Sequence, residues 1–349
     1  MDKKKKVTMQ EIADRVGVSK YAVSKALSGK AGISAATRER IFEVASNLGY
    51  LDQQLTKRTM ASKTQTEEEE RMIGILFPDI RSQNRDSFYW GRVLEGVFRG
   101  LEGHGISSVL ITDDSPQNFN KLMRPEALLG IIGIGLIETA MLVELRSLGI
   151  PFVIIDHEDE LVASDTVFMN NYDIYRKLTK FLIGKGHRHI QFVGDWTYAR
   201  SFADRWSGFK AILDENGIPY MPHKELLQIR PSHREDNLEL IRIAMQQLIE
   251  NSSTTAIICA NDKVASLCMN ELEKKGKRIP ADISVVAFDN DPEVHAQYPE
   301  LCTVNAETEV LGIQAVEIMQ WRLKHISMPY EKRLIQGELI IKGSIGSLV

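Results

Sequence analysis

Thr8-Met9-Gln10-Glu11 begins the segment that most constrains this chain. Thr8 with Glu11 three residues later is a capping box, so a helix starts there. Ile12, Ala13 and Val16 give that helix one apolar face, and Gly17 ends it because glycine accepts the positive φ of a tight helix exit. Ser19 can cap a second helix on which Ala22, Val23, Ala26 and Leu27 point inward. Two short helices joined by so brief a turn make a helix-turn-helix, whose second helix presents its first residues to a major groove.

Charge is divided along the chain in the same sense. Residues 1–60 hold 12 Lys+Arg against 6 Asp+Glu, leaving −10 for residues 61–349 of a chain whose net charge is −4. A basic start on an acidic remainder puts positive potential where phosphates would lie. The run Lys3 to Lys6 reads equally as a solvated start and as a phosphate-tracking arm. Glu67 to Glu70 close the stretch and mark a boundary near residue 70.

The 349 residues suffice for a small head and a large two-lobed body. No run approaches the roughly 20 apolar residues of a membrane span. The start is charged and lacks an apolar core, which predicts a cytoplasmic protein without a secretion signal. Cys259, Cys268 and Cys302 have no paired spacing and are expected as reduced, buried thiols. His187 and His189 alternate at the start of a strand and are expected at the surface; no histidine cluster suggests a metal.

From residue 71 short β-branched runs alternate with amphipathic helices. Strands are expected at about 72–77, 108–112, 130–134, 151–155, 190–193, 255–258 and 283–287. Helices are expected near 89–104, 172–186, 200–216, 234–250 and 262–276. Continuous apolar strands between helices mean parallel sheets covered on both faces, here in two doubly wound lobes. The fold class is therefore α plus α/β. Ligands of such sheets bind beyond the carboxyl ends of strands. Polar residues stand there: Asp79, Asp156, Asp195, Asn261-Asp262 and Asp289, with Arg205 on the following helix. Phe88, Tyr89, Trp90 and Trp196 are aromatic candidates to stack on a ligand. For Asp79 and Asp262 the simpler role is a helix N-cap; Trp206 and Trp321 are expected to pack in a core or interface.

Ile12-Ala13, Gly17-Val18-Ser19, Val23-Ser24-Lys25, Leu27-Ser28-Gly29, Ile33-Ser34, Thr37-Arg38 and Leu48-Gly49-Tyr50 resemble the head of the LacI/GalR family of bacterial repressors. Ile150-Pro151 to Asp156, Gly186 to Ile190, Asp204-Arg205, Gly208-Phe209, Ala260-Asn261-Asp262 and Ile283 to Asp289 resemble its effector domain, which is similar to periplasmic sugar-binding proteins. The resemblance implies a head over residues 1–50 with a third helix at about 35–48, a hinge and linker over 51–70, and an effector domain over 71–349. The lobe near DNA would comprise about 71–162 and 290–325, the far lobe about 163–289 and 326–349. It implies a homodimer on a near-palindromic operator, without cofactor. Lys20, Tyr21 and Lys25 would read base edges. Thr8, Ser19, Ser24, Ser34, Thr37 and Arg38 would meet phosphates, as would Lys57 and Arg58. Asp156, Arg205, Asn261 and Asp289 would hold the effector.

Departures from the family pattern are specific. Ala22 stands where Thr is usual, which loses a phosphate contact, and Lys25 stands where Arg is frequent, which loses a two-pronged guanine contact. In the hinge, Asp52-Gln53 replace Pro-Asn, Thr56 replaces Ala, and Thr59 takes the place of a minor-groove Leu, with apolar Met60 beside it. Met169-Asn170-Asn171 carries an amide where the family often has an acid. The expected function is a repressor of carbohydrate-utilisation genes, controlled by a sugar through a population shift. A nucleobase or a phosphoprotein is the alternative effector. The rival class is an enzyme on the doubly wound fold, but in Gly133-Ile134-Gly135 the third glycine position of a dinucleotide fingerprint is occupied by Glu138, which repels pyrophosphate. A plain sugar-binding protein leaves the head unexplained.

Overall fold

A computed structural model describes residues 7–27, 32–50, 71–78, 83, 87–113, 115–232, 234–251 and 253–349. The Lys3–Lys6 run, the hinge with Lys57 and Arg58, and Asp79 lie outside the described residues. Three helices form the head: α1 (Met9–Val16), α2 (Lys20–Leu27) and α3 (Ala35–Asn47). Ile12, Ala13, Val23, Ala26, Leu27, Ile41, Phe42 and Ala45 are buried, so each helix contributes one apolar stripe. Ala22, expected to face inward, is only half-buried.

The body begins with β1 (Met72–Leu76), α4 (Phe88–Gly103), β2 (Ser108–Ile111), α5 (Pro116–Leu122), β3 (Leu128–Ile134), α6 (Thr139–Ser147) and β4 (Phe152–Ile155). It continues with β5 (Asp165–Met169), α7 (Asn171–Gly184), β6 (Ile190–Val193), α8 (Arg200–Glu215), α9 (Glu235–Asn251), β7 (Ala256–Cys259), α10 (Asp262–Lys274) and β8 (Ser284–Val286). It ends with α11 (Pro292–Gln297), β9 (Thr303–Asn305), α12 (Thr308–Lys324), β10 (Lys332–Ile335) and β11 (Glu338–Ile340).

The chain divides into two compact units, one of residues 1–167 and 308–333, the other of residues 168–307 and 334–349. Residues 290–307, expected in the lobe near DNA, pack with the second unit. The cause is β9, which pairs antiparallel with β11 and leaves isolated bridges from Cys302 to Val286 and from Asn305 to Asp289. Residues 163–167 and 326–333, expected in the far lobe, belong to the first unit, where Arg322 and Asp165 bind each other.

In the first unit β2, β1, β3 and β4 lie side by side and parallel, with order reversing about β1, the signature of a doubly wound sheet. β5 and β10 extend this sheet, and both run across the unit boundary. Ile75 sits opposite Ile132, and Ile132 opposite Val153, all fully buried. Helix α12 packs on α4 with almost no intervening side chain. A Cβ on Gly96 would stand 2.0 Å from the Glu309 carbonyl oxygen, and one on Gly312 2.3 Å from that of Val93. Backbone approach this close admits only glycine.

In the second unit β6, β7 and β8 form a parallel sheet. Trp206 meets Phe192 edge-on, ring centres 5.3 Å apart, and packs beside Phe209 and Tyr220; Trp321, in the first unit, stacks on His325 at 4.8 Å. Cys259, Cys268 and Cys302 are free and buried. His187, expected at the surface, is buried. Its Nδ1 pairs with Thr255 Oγ1 at 2.8 Å, and its Nε2 lies 3.1 Å from Ser284 Oγ, pinning the carboxyl-terminal segment through Gly346. No helix among the described residues is long and apolar enough to cross a membrane.

Candidate functional site

The head's exposed surface is built by its caps. The Thr8 backbone N–H donates to Glu11 Oε2 at 2.8 Å, and the Glu11 N–H donates to Thr8 Oγ1 at 3.3 Å. Gly17 takes φ +80°, and its N–H closes on the Ala13 carbonyl at 2.9 Å. Ser19 Oγ accepts the Ala22 N–H at 3.1 Å, fixing the start of α2. Because Val23, Ala26 and Leu27 face the core, Lys20, Tyr21 and Ser24 are turned outward; Tyr21 is 75% exposed. Lys25 lies one turn on from Tyr21, its Nζ 6.0 Å from the ring centre. Ser34 Oγ accepts the Thr37 N–H at 3.2 Å and shares a 2.7 Å hydrogen bond with Thr37 Oγ1, so Ser34 caps α3 and the Thr37 hydroxyl braces that cap beside half-buried Arg38. Ser19 and Ser34 thereby place helix N-termini, with their partial positive charge, at the surface.

In the first unit, Tyr89 and Asp156 come together. The Tyr89 hydroxyl donates to Asp156 Oδ2 at 3.3 Å. Asp156 follows β4 in the left-handed region, φ +56°. Trp90 meets Tyr89 edge-on at 4.9 Å and leans on Phe77 at 6.5 Å, so it serves as packing for Tyr89. Phe88 carries the Arg92 guanidinium 5.6 Å above its ring.

The second unit joins Arg205, Asn261 and Asp289. Arg205, on the second turn of α8, is buried against the Phe288 ring, its guanidinium carbon 3.8 Å from the centre. Its Nε donates to Asn171 Oδ1 at 2.9 Å and its Nη1 to the Ala260 carbonyl at 2.6 Å. Its Nη2 stands 4.0 Å from Asp289 Oδ1. Burial pushes the Asp289 carboxyl up to about 6, although Arg205 pulls it down. Trp196 stands apart, 44% exposed at the end of a turn in which Asp195 binds Arg230 Nε at 2.8 Å. Burial raises the Asp195 carboxyl, but its bonds to Thr197 and Arg230 outweigh that and hold it below the usual range.

Two assignments change. The N-cap of α10 is Asn261, whose Oδ1 accepts the Val264 N–H at 3.0 Å. Asp262, expected to cap, is instead fully buried and bonded to residues of the following strand exits. Asn171 and Tyr175 were not singled out as site residues. The amide of Asn171 orients Arg205, and the buried Tyr175 hydroxyl donates to the Cys259 carbonyl at 2.6 Å. Asn171 carried a signal, since it stands in the amide-for-acid departure; Tyr175 carried none beyond a helical apolar face. Among the described residues, no group of His, Cys, Asp and Glu could hold a metal.

A capped helix-turn-helix ahead of a two-unit, parallel-sheet body defines a DNA-binding transcription regulator. Residues 8–53 match the model of bacterial regulatory proteins of the lacI family, and residues 179–345 that of the periplasmic binding protein-like domain. The HTH-type transcriptional regulator GntR of Escherichia coli K12 is 27% identical over 331 residues, 92% of this chain and 93% of that protein. The transcriptional regulator CelR in complex with cellobiose aligns with TM-score 0.69 and 19% identity, over 97% of this chain and 99% of that one. The lac repressor dimer bound to operator and the anti-inducer ONPF aligns with TM-score 0.65 and 20% identity, over 98% and 100%. The head is thus that of the lacI family of bacterial regulatory proteins, joined to a periplasmic binding protein-like body. Members of that family are DNA-binding regulators, which sets the enzyme reading aside.

Proposed function

We propose that two copies of this chain bind a near-palindromic operator in the cytoplasm and repress transcription, and that a sugar held by Arg205, Asn261 and Asp289 sets their DNA affinity. The observation that carries the effector reading is the 4.0 Å separation of Arg205 Nη2 and Asp289 Oδ1. A buried donor and a half-buried acceptor held beyond hydrogen-bond reach can each turn to one of two neighbouring hydroxyls. The Phe288 ring and the hydrogen bonds to Asn171 and Ala260 keep the guanidinium fixed meanwhile. Tyr89 and Asp156 in the first unit carry the same hydroxyl-binding chemistry. Cellobiose in the CelR complex supports a sugar as the class, and the operator-bound lac repressor dimer supports the twofold assembly. In the head, Lys20, Tyr21 and Lys25 read bases, while Thr8, Ser19, Ser24, Ser34, Thr37 and Arg38 meet phosphates.

Selection of duplexes from a randomised pool by the full-length protein, followed by titration with free sugars, tests this. A sequence preference lost or strengthened by one sugar is the expected result. A protein that selects no sequence overturns operator recognition; a preference indifferent to sugars but sensitive to a nucleobase or a phosphoprotein overturns the effector class.

A further inference from the structure

Asp289 and Asn290 are consecutive non-glycine residues with positive φ, +125° and +57°. Such conformations are strained and persist only where the surroundings over-determine them. The surroundings here are a set of amide acceptors. The Asp289 N–H donates to the Val304 carbonyl at 3.1 Å, the Asn290 N–H to Thr303 Oγ1 at 3.3 Å, and the Asp291 N–H to Asp262 Oδ2 at 2.9 Å. Thr303 Oγ1 in turn donates to Asp262 Oδ1 at 2.6 Å. The Asp262 backbone N–H closes the loop on the Phe288 carbonyl at 2.8 Å. Two of the three turn amides are thus satisfied by Asp262, one directly and one through Thr303.

We propose that Asp262 is a positioning residue for effector recognition: it holds the Asp289–Asn290 turn so that the Asp289 carboxyl faces Arg205. The assignment rests on reading Arg205 and Asp289 as effector contacts. It explains why a fully buried acid follows Asn261, which already caps the helix. A carboxyl there provides two acceptor oxygens on one rigid plane; an amide provides one and sets an N–H₂ against a donor, and an aliphatic chain provides none. The groups facing it are Asp289 and Asp291, Thr303, and His295 on α11, whose Nε2 is 3.8 Å from Asp262 Oδ2. His295 Nδ1 accepts from Lys342 Nζ at 3.2 Å, which leaves the imidazole proton on Nε2, the nitrogen nearer Asp262. Burial, with Asp289 beside it, pushes the Asp262 carboxyl well above the usual range. The turn is therefore sensitive to a proton as well as to geometry.

The test uses the full-length protein with Asp262→Asn, Asp262→Leu and Thr303→Val. Binding of D-ribose, cellobiose, D-glucose and D-gluconate is measured by calorimetry across the acid-to-neutral range, with circular dichroism as the check of folding. Asp262→Leu is expected to weaken the sugar that wild type binds by about tenfold or more, and Thr303→Val by about three- to tenfold, the range of one or two lost hydrogen bonds. Asp262→Asn is expected to bind better than Asp262→Leu and to flatten the pH profile, which a purely structural role would leave unchanged. A folded Asp262→Leu with wild-type affinity, or an Asp262→Asn profile superimposable on wild type, overturns the assignment. If Asp262→Leu does not fold, Thr303→Val decides: wild-type affinity in that variant overturns it. A wild type that binds none of the four sugars while still selecting DNA overturns the sugar reading itself, and this assignment with it.

Discussion

Arg205 and Asp289 face each other across 4.0 Å inside the second unit, near enough to attract and too far apart to bond. Each is held by other partners. Arg205 is fixed by Asn171, Ala260 and the Phe288 ring, and Asp289 by its strained backbone. Charge and geometry therefore make separate predictions.

The first concerns pH. The Asp289 carboxyl is pushed from 3.8 up to about 6 by burial. Between those values the native state keeps a proton that the unfolded chain has released, so stability falls as pH rises through this window. A shift of that size corresponds to about 2–3 kcal/mol. In Asp289→Asn the penalty is absent. Its stability relative to wild type should improve by about 1–3 kcal/mol between about pH 4 and about pH 8, measured by urea unfolding. Parallel pH profiles for the two proteins would show that Asp289 is not buried as a carboxylate.

The second concerns geometry. Arg205→Met takes the guanidinium off the Phe288 ring, leaves Asn171 Oδ1 without its donor, and leaves the Ala260 carbonyl with the Tyr175 hydroxyl at 3.1 Å. The expected loss is about 2–4 kcal/mol of stability together with any sugar response, while duplex selection by the head persists in the folded fraction. Calorimetric unfolding and duplex binding measured on one preparation separate the two effects. A variant that keeps its sugar response removes Arg205 from the site.

The head and the alternating body were legible because their signals are local. Thr8 and Glu11 are three residues apart, Gly17 terminates one helix, and Ile73–Leu76 is apolar throughout. Among the elements missed, α5 and α6 are short local helices, and the strands depend on distant partners. β9 pairs with β11 more than thirty residues later, and β10 and β11 have mixed exposed and half-buried patterns with no apolar run to betray them. Helix α12 shows almost no one-sided apolar stripe because it is buried on several sides. Asp262 was mistaken for a cap because its real partners, Asp291 and Thr303, are 29 and 41 residues away. In the site, Arg205, Asn261 and Asp289 could be named from their places after strands, whereas Asn171 becomes relevant only once Arg205 is seen to need an acceptor.

A third prediction addresses the head. Nothing lies within 4 Å of a Cβ built on Gly17, so Gly17→Ala meets no clash and pays only for φ +80°. That strain is about 1–2 kcal/mol, and loss of the α2 cap in Ser19→Ala costs about 1 kcal/mol. Both should speed hydrogen exchange across residues 9–27 by about five- to thirtyfold while leaving exchange in the second unit unchanged. Uniform acceleration throughout the chain would show instead that the head does not open as its own unit.

The fourth concerns the ion pair that fastens α12 to β5. Arg322 Nε donates to Asp165 Oδ2 at 2.6 Å and Nη2 to Oδ1 at 2.8 Å, with both side chains buried. The same guanidinium donates to the carbonyls of His325, Met328 and Pro329, and Asp165 Oδ1 accepts the Glu331 N–H at 2.9 Å. One pair thus organises the whole connection from α12 to β10. Removing the cation alone leaves a desolvated carboxylate and takes the guanidinium donor from the Met328 and Pro329 carbonyls, while the His325 carbonyl keeps the Met328 N–H, so Arg322→Leu should cost about 3–5 kcal/mol. In Asp165→Asn the amide oxygen can still accept from Arg322 Nη2 and Glu331, but its N–H₂ faces Nε and the buried cation loses its counter-charge, so a loss of about 2–4 kcal/mol is expected. If the pair acts as a unit, the double variant should lose clearly less than the sum of the two single losses, because the second substitution removes a group already stranded. Additive losses in urea unfolding would mean that the carbonyl contacts, rather than the carboxylate, are what Arg322 chiefly serves.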